Sequence, residues 1–141
     1  MTDSSEIILS QWQTCVELAN SVSQRRDSMN NIMSTLNIAI LTTTSAFWDT
    51  KSIAFCFIGI GASLVWILLI EHYKKLNNAK YEVILKLEEK LPSKPMSDEW
   101  DILCSQKKYR EGTNLERYLP IPFIIVYIIM ISIKLLELWQ S

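Results

Sequence analysis

The sequence predicts an all-α integral membrane protein with three transmembrane helices, the second of which extends into a cytoplasmic helical layer. Two observations predict this fold: blocks without charge and an uneven distribution of basic residues. Residues 28–48, 52–70 and 118–133 contain no Asp, Glu, Lys or Arg, and about 20 apolar residues let a helix cross a hydrocarbon core of about 30 Å. A soluble bundle of three buried helices is the alternative, but residues 52–70 have no polar face for water.

The basic residues lie almost entirely on one side of the predicted membrane. Residues 1–27 contain Arg25 and Arg26, and residues 71–118 contain ten more Lys or Arg, whereas the opposite side has only two. Under the positive-inside rule, the N-terminus and the long connection are therefore cytoplasmic. Three crossings of this multi-pass chain then place the C-terminus outside.

Residues 1–27 are expected to form a cytoplasmic N-terminal amphipathic helix. Apolar residues recur there at steps of three and four, at Ile8, Trp12, Cys15, Ala19 and Val22. Packing on the cytoplasmic part of the protein is favoured over lying on the membrane surface, because the polar face is not strongly basic. Arg25 and Arg26 act as positive-inside anchors, or alternatively form ion pairs with Glu71 or Glu82.

One half of the first transmembrane helix, residues 28–48, is polar. At about 100° per residue, seven polar side chains fall on one side of this helix: Asn30, Asn31, Ser34, Thr35, Asn37, Thr42 and Ser45. Such groups either hydrogen-bond to neighbouring helices, at about 0.6–2 kcal/mol each, or line water. The sequence leaves both possibilities open.

The second transmembrane helix, residues 52–71, follows a short external turn at residues 49–51. The first two spans therefore form an antiparallel hairpin. Gly59 and Ser63 form a small-xxx-small pair that favours close helix packing.

The second helix has no signal to stop at the membrane surface, because no Gly or Pro occurs between Ala62 and Leu91. A single rod is predicted from about Ser52 to about Leu91, a length of roughly 60 Å at 1.5 Å per residue. Beyond the membrane this rod carries a mostly apolar stripe, formed by Tyr73, Leu76, Lys80, Val83, Leu87 and Leu91. The stripe needs a partner, which is the N-terminal helix, another copy of the chain or another protein.

The cytoplasmic helical region, residues 72–118, continues beyond the rod. Pro92 and Pro95 stop the rod, and Ser97 is predicted to cap a short helix that makes an apolar contact through Trp100. A loop with a turn at Gly112 follows, and Thr113 is expected to cap the next helix.

The third transmembrane helix is predicted at residues 119–139. Lys134 lies near its outer end, where its side chain reaches toward the headgroups and pairs with Glu137 one turn away. Trp48 and Tyr118 mark the ends of spans, as aromatic belts do.

No catalytic, cofactor-binding or metal-binding residues are predicted. The three cysteines are far apart, one histidine does not make a zinc site, and no hydrolase or nucleotide-binding motif is present. The carboxylates Glu88, Glu89, Asp98 and Glu99 are interpreted as a solvated charged face. Nucleic acid is excluded as a partner, because residues 71–118 contain ten basic and nine acidic residues and create no positive field.

Several motifs occur in a characteristic order along the chain. They are RR at Arg25-Arg26, LN at Leu36-Asn37, YKKLNNAKYEVI at Tyr73–Ile84, LEEKLPSKP at Leu87–Pro95, EW at Glu99-Trp100 and LERYLPIPF at Leu115–Phe123. Together they resemble the RipA-like octameric membrane proteins, small bacterial proteins with three spans. The resemblance implies a protein of the bacterial inner (plasma) membrane that forms a homo-oligomeric ring of eight copies, and it does not imply an enzyme. The motif and assembly positions that it marks are Arg25, Arg26, Leu76, Asn77, Lys80, Glu88, Leu91, Pro92, Pro95, Glu99 and Trp100.

Two functions are compatible with the sequence. In the first, the polar half of the first span faces the centre of the ring and lines a pore or cavity, which would suit an effector in stress response or defence. In the second, those polar groups are buried between helices, and the protein is a membrane scaffold that docks a soluble cytoplasmic partner through residues 71–118. Membrane lipid and other copies of the chain are partners in both.

Overall fold

The computed structural model describes residues 2–105 and 115–140, and the regular structure in these two stretches is α-helical. Four helices follow one another there: α1 (Thr2–Ala46), α2 (Ser52–Glu88), α3 (Pro95–Ser105) and α4 (Pro120–Gln140). The prediction of an all-α protein is confirmed. The turn predicted at Gly112 and the cap predicted at Thr113 lie outside the described residues.

The chain divides into two compact units, each built from two stretches of sequence. The polar unit comprises Met1–Arg26 and His72–Glu111, and the apolar unit comprises Asp27–Glu71 and Gly112–Ser141. The apolar unit therefore gathers the three blocks that lack charged residues. Both α1 and α2 contribute to both units.

Helix α1 joins the predicted N-terminal helix and the first uncharged block into one helix of 45 residues. The apolar stripe predicted for residues 1–27 is the less exposed face of this part of α1. Ala19 and Val22, which belong to the stripe, are buried. Threonine hydroxyls along α1 donate hydrogen bonds of 2.7–2.9 Å to the carbonyl four residues earlier. These bonds satisfy the hydroxyl donors within α1 itself, without a partner from another helix.

Helix α2 is continuous from Ser52 to Glu88, so the predicted rod is confirmed and ends three residues before Leu91. The face that it buries differs from the predicted stripe. In the polar unit, Ile84 and Glu88 are buried, whereas Leu76 and Val83 of the predicted stripe are exposed. The apolar pattern predicted the wrong buried face for this part of α2, because Glu88 was interpreted as a residue that faces water.

By length and composition, two helices in the described residues, α2 and α4, can cross a membrane. Their most apolar stretches are only 28% and 11% buried in the single chain, whereas the core helix of a soluble protein would be mostly buried. Helix α1 is long enough to cross a membrane but is not apolar enough to be counted with α2 and α4. Its residues 28–46 include three asparagines and a run of three threonines, which lower its mean hydropathy. A third span there stays a prediction.

The apolar unit packs closely around small residues of α2. A Cβ atom on Gly59 would overlap the phenol ring of Tyr127 in α4, so this close approach requires glycine. Nearby, the rings of Trp66 and Phe123 are tilted, with centroids 6.0 Å apart. The small face predicted from Gly59 and Ser63 is therefore the face on which α2 meets the other helices.

Candidate functional site

The polar half of α1 separates into two strips in the structure. The inner strip is buried and consists of Asn30, Asn37 and Thr44, which repeat every seven residues and so follow one line along the helix. The outer strip is exposed and consists of Asn31, Thr35, Thr42 and Ser45. Ser34 lies between the strips and is partly buried. The seven residues predicted as one stripe therefore have two different environments.

Asn37 connects three helices in the middle of the apolar unit. The Ser63 hydroxyl of α2 donates to Asn37 Oδ1 at 2.9 Å, and the Tyr127 hydroxyl of α4 lies 3.2 Å from the same oxygen and 3.1 Å from the Asn37 carbonyl oxygen. Asn37 Nδ2 donates to the Met33 carbonyl at 2.9 Å. Because these side chains are buried, Asn37 acts as a hydrogen-bonded junction and cannot face a central cavity.

Asn30 forms a second junction two helical turns away. Trp66 Nε1 donates to Asn30 Oδ1 at 2.8 Å, and Asn30 Nδ2 donates to Glu116 Oε2 at 3.2 Å. The indole of Trp66 is fully buried, so its N–H needs this acceptor. Within the inner strip, Asn30 and Asn37 therefore bond to residues of other segments, whereas the Thr44 hydroxyl donates to its own helix.

Two ion pairs involve the carboxylates proposed as partners of Arg25 or Arg26. Arg117 donates to Glu71 at 2.6 Å, and both side chains are more than a third exposed, so the pair adds little stability. Glu82, the other carboxylate proposed for Arg25 or Arg26, binds Lys86 at 2.9 Å. Both carboxylates therefore have cationic partners within their own units.

A separate cluster joins the end of α1 to α4. Lys134 Nζ lies 2.9 Å from Glu137 Oε2 and 5.1 Å from the centroid of the Trp48 ring. The Trp48 N–H is 3.2 Å from both Glu137 oxygens. The predicted Lys134–Glu137 pair is confirmed, and Trp48 shields it by covering the ammonium group.

Two members of the buried network were missed from the sequence. Thr44 is buried and donates to the Ile40 carbonyl at 2.7 Å, and the spacing of seven from Asn30 and Asn37 could have identified it. Tyr127 is the only tyrosine inside the third uncharged block after Tyr118. A phenol hydroxyl surrounded by apolar residues needs a hydrogen-bond partner. The sequence could therefore have predicted that Tyr127 takes part in a buried hydrogen-bond network.

The outer strip remains on the surface of the single chain. The hydroxyls of Thr35 and Thr42 donate to carbonyls of their own helix, at 2.9 and 2.8 Å. Ile38 lies on the same line between them and is also exposed. The strip is therefore a row of uncharged polar side chains interrupted by one apolar side chain.

Glu88 is not part of a solvated charged face, in contrast to the prediction. Its side chain is only 1% exposed and accepts hydrogen bonds from the backbone N–H groups of Met96 at 2.8 Å and Ser97 at 3.0 Å. These are the free amides of the first turn of α3, which begins at Pro95. Glu88 therefore caps this helix, and the cap predicted at Ser97 was wrong.

The cap explains much of the LEEKLPSKP motif. Leu91 and Pro92 lie in the short turn after α2, and Pro95 occupies the first position of α3, where a missing N–H has no cost. The chain thus turns back and brings the α3 N-terminus onto the Glu88 carboxylate, where the helix dipole favours negative charge.

The remaining motif residues are spread over the surface of the polar unit. Arg25, Leu76, Glu99 and Trp100 are exposed and Lys80 is partly buried, while Asn77 Oδ1 is buried and has no partner among the described residues. The cysteines Cys15, Cys56 and Cys104 are free. Among the described residues no group of three His, Cys, Asp or Glu could hold a metal ion. The geometry thus shows hydrogen-bonded junctions and an exposed polar strip.

The sequence matches the model of a known protein family. The model of the octameric membrane protein family (8xMP) matches residues 9–136. This match covers most of the chain, and it agrees with the family resemblance of the sequence motifs. No curated protein and no solved structure matches the chain.

Proposed function

The chain belongs to the octameric membrane protein family, and from this premise we propose that eight copies form a closed ring around a polar cavity in the bacterial inner membrane. Each copy crosses the membrane three times, through the uncharged part of α1, the first part of α2, and α4. The N-terminus and the polar unit are cytoplasmic, and the C-terminus is external. The proposed role is non-enzymatic.

The outer strip of α1 is the observation that supports a cavity. An amide group that leaves water without a hydrogen-bond partner costs roughly 2–7 kcal/mol, so contact with lipid tails is unfavourable for the exposed carboxamide of Asn31. The inner strip avoids this cost by bonding within the protomer. A ring with the outer strip turned inward gives Asn31, Thr35, Thr42 and Ser45 of every copy access to water.

The chemistry of the strip limits what such a cavity can pass. The strip contains hydroxyls and one carboxamide but no charge, so a pore would discriminate weakly between small ions and polar solutes. Ile38 would form an apolar ring between Thr35 and Thr42, and apolar constrictions gate by excluding water. A ring that opens on a signal would dissipate ion gradients, which suits a stress or defence effector.

Conductance across planar bilayers tests this proposal. The wild-type complex is compared with Thr35→Leu/Thr42→Leu, in which the polar part of the strip becomes apolar, and with Ile32→Leu/Leu36→Ile on another exposed face of α1. We expect the strip variant to lose conductance and the control to keep it. Equal conductance in all three complexes would overturn the pore.

A scaffold that docks a soluble partner is the second candidate. All of α3 lies within the described residues, and none of its side chains is buried, while Trp100 and Ile102 are exposed. These side chains offer an apolar surface in the polar unit. If the protein is a scaffold, Trp100→Ala abolishes its cellular function while conductance and ring assembly are unchanged. If the protein is a pore, the same variant retains its cellular function.

A further inference from the structure

The part of α2 that continues beyond the apolar stretch has three kinds of surface. Ile84 is fully buried in the polar unit. The opposite side is a charged ridge that exposes Lys75, Glu82 and Lys86. Between the ridge and the buried side, exposed apolar side chains lie on both flanks of the helix.

These two flanks have different compositions. The first flank consists of Leu76 and Val83, and the second flank consists of Tyr81 and Leu85. All four side chains are between 37% and 48% exposed, as expected for positions halfway between a buried and a solvated face. At about 100° per residue, the centres of the two flanks are about 170° apart, so they point in nearly opposite directions.

A closed ring of eight copies needs two such surfaces on every copy. In a cyclic assembly with head-to-tail contacts, one patch of each subunit meets a different patch of the next subunit. Single exposed apolar residues are ordinary, but here two pairs at helical spacing lie on opposite sides of one helix in a polar segment. A second copy of the chain is therefore the partner that fits both pairs at once.

We propose that the first flank of one copy packs against the second flank of the next copy, so that each α2 stands between two neighbours. This inference rests on the octameric ring of the proposed function. In the contact, Leu76 and Val83 meet the aromatic ring of Tyr81 and the side chain of Leu85, at the separation of about 8–10 Å between axes that packed helices have. The charged ridge remains in water.

Disruption of each flank separately tests the contact. The first-flank variant is Leu76→Ser/Val83→Ser, the second-flank variant is Tyr81→Ser/Leu85→Ser, and Lys75→Ser/Glu82→Ser on the ridge is the matched control. The substituted side chains are already partly in water, and circular dichroism checks that the helices are retained. Native mass spectrometry of the detergent-solubilised complexes should show loss of the octamer for both flank variants and an unchanged octamer for the control.

Co-expression of the two flank variants gives a sharper result. Each mixed pair has one intact contact, between the first flank of one variant and the second flank of the other, and no further intact surface. We expect complexes that contain one copy of each variant and do not grow. Octamers from each variant alone would overturn the flank contact while the octamer itself stood, whereas a wild-type complex of another size would overturn the octameric ring.

Disulfide trapping tests the same contact without disrupting either flank. In a chain whose native cysteines are replaced by serine, Val83→Cys together with Leu85→Cys should give a covalent ladder that ends at eight. Either substitution alone should give no cross-linked species, and neither should the ridge pair Lys75→Cys/Glu82→Cys. Absence of a ladder from the flank pair would overturn the contact.

Discussion

The Ser63 hydroxyl donates a 2.9 Å hydrogen bond to the side-chain oxygen of Asn37, and both side chains are fully buried. This bond joins α1 to α2, and the Tyr127 hydroxyl adds α4 at the same oxygen. Among the described residues of the apolar unit, this is the point where three helices share one polar group. Asn37 is therefore a residue of the fold, and the exposed outer strip of α1 is the part that is free for other partners.

Replacement of Asn37 by leucine should destabilise the fold. It leaves the Ser63 hydroxyl buried without its acceptor, whereas the Tyr127 hydroxyl keeps the main-chain carbonyl of residue 37. An unsatisfied buried polar group costs about 1–3 kcal/mol. We expect a lower Tm for the detergent-solubilised Asn37→Leu protein, measured by thermal unfolding. Asn31→Leu, on the outer strip, is the control and should keep the wild-type Tm in detergent. Equal Tm values for both variants would contradict the junction.

Replacement of Gly59 by alanine should open the contact between α2 and α4. The new methyl group overlaps the Tyr127 ring, and overpacking of this kind costs about 1–3 kcal/mol. Gly61→Ala is the matched control, because no described atom lies within 4 Å of a Cβ at that position. Resistance to unfolding by SDS measures both, and a Gly59→Ala protein as resistant as Gly61→Ala would show that the helices do not approach this closely.

Replacement of Glu88 by alanine should fray the start of α3. The amides of Met96 and Ser97 lose their acceptor, and loss of a helix cap costs about 0.5–2 kcal/mol. Hydrogen–deuterium exchange should then be faster at residues 96–97. The control is Glu82→Ala, because Glu82 is an exposed carboxylate beyond the apolar stretch, where the hydrogen bond from Lys86 lowers its pKa. Unchanged exchange in Glu88→Ala would mean that α3 does not depend on this cap.

Replacement of Ile38 by threonine should raise the conductance of the ring. The substitution removes the apolar interruption of the outer strip, so water and ions meet a lower barrier. Ile32→Thr is the control, because Ile32 is exposed on a different face of α1. Single-channel recordings in planar bilayers compare the two, and a conductance no higher for Ile38→Thr than for Ile32→Thr would rule out a constriction at Ile38.

The sequence predicted the helices and the polar half of α1 because these depend on local patterns. Uncharged blocks, prolines and helical periodicity are all readable along one chain. The separation of Asn30 from Asn31 is different, because the two residues are only about 100° apart on the helix. Which of them is buried depends on where Trp66 and Glu116 lie, and those positions are set by tertiary packing.

Glu88 shows the same limit in another form. A carboxylate in a charged segment usually faces water, and nothing in its immediate neighbours predicts burial. Its partners lie eight and nine residues later, after a turn whose geometry the sequence does not specify. The buried face of α2 was misplaced for the same reason, since burial of Glu88 moves that face toward Ile84.

Water access to the outer strip of the assembled ring is the measurement that tests the central claim most directly. In a cysteine-free chain, Thr35→Cys and Thr42→Cys are labelled in membranes with a charged, membrane-impermeant thiol reagent, and Leu36→Cys on another face of α1 serves as the control. We predict rapid labelling at positions 35 and 42 and none at position 36. Labelling at position 36 with protection at 35 and 42 would contradict a ring that turns the outer strip toward a water-filled centre.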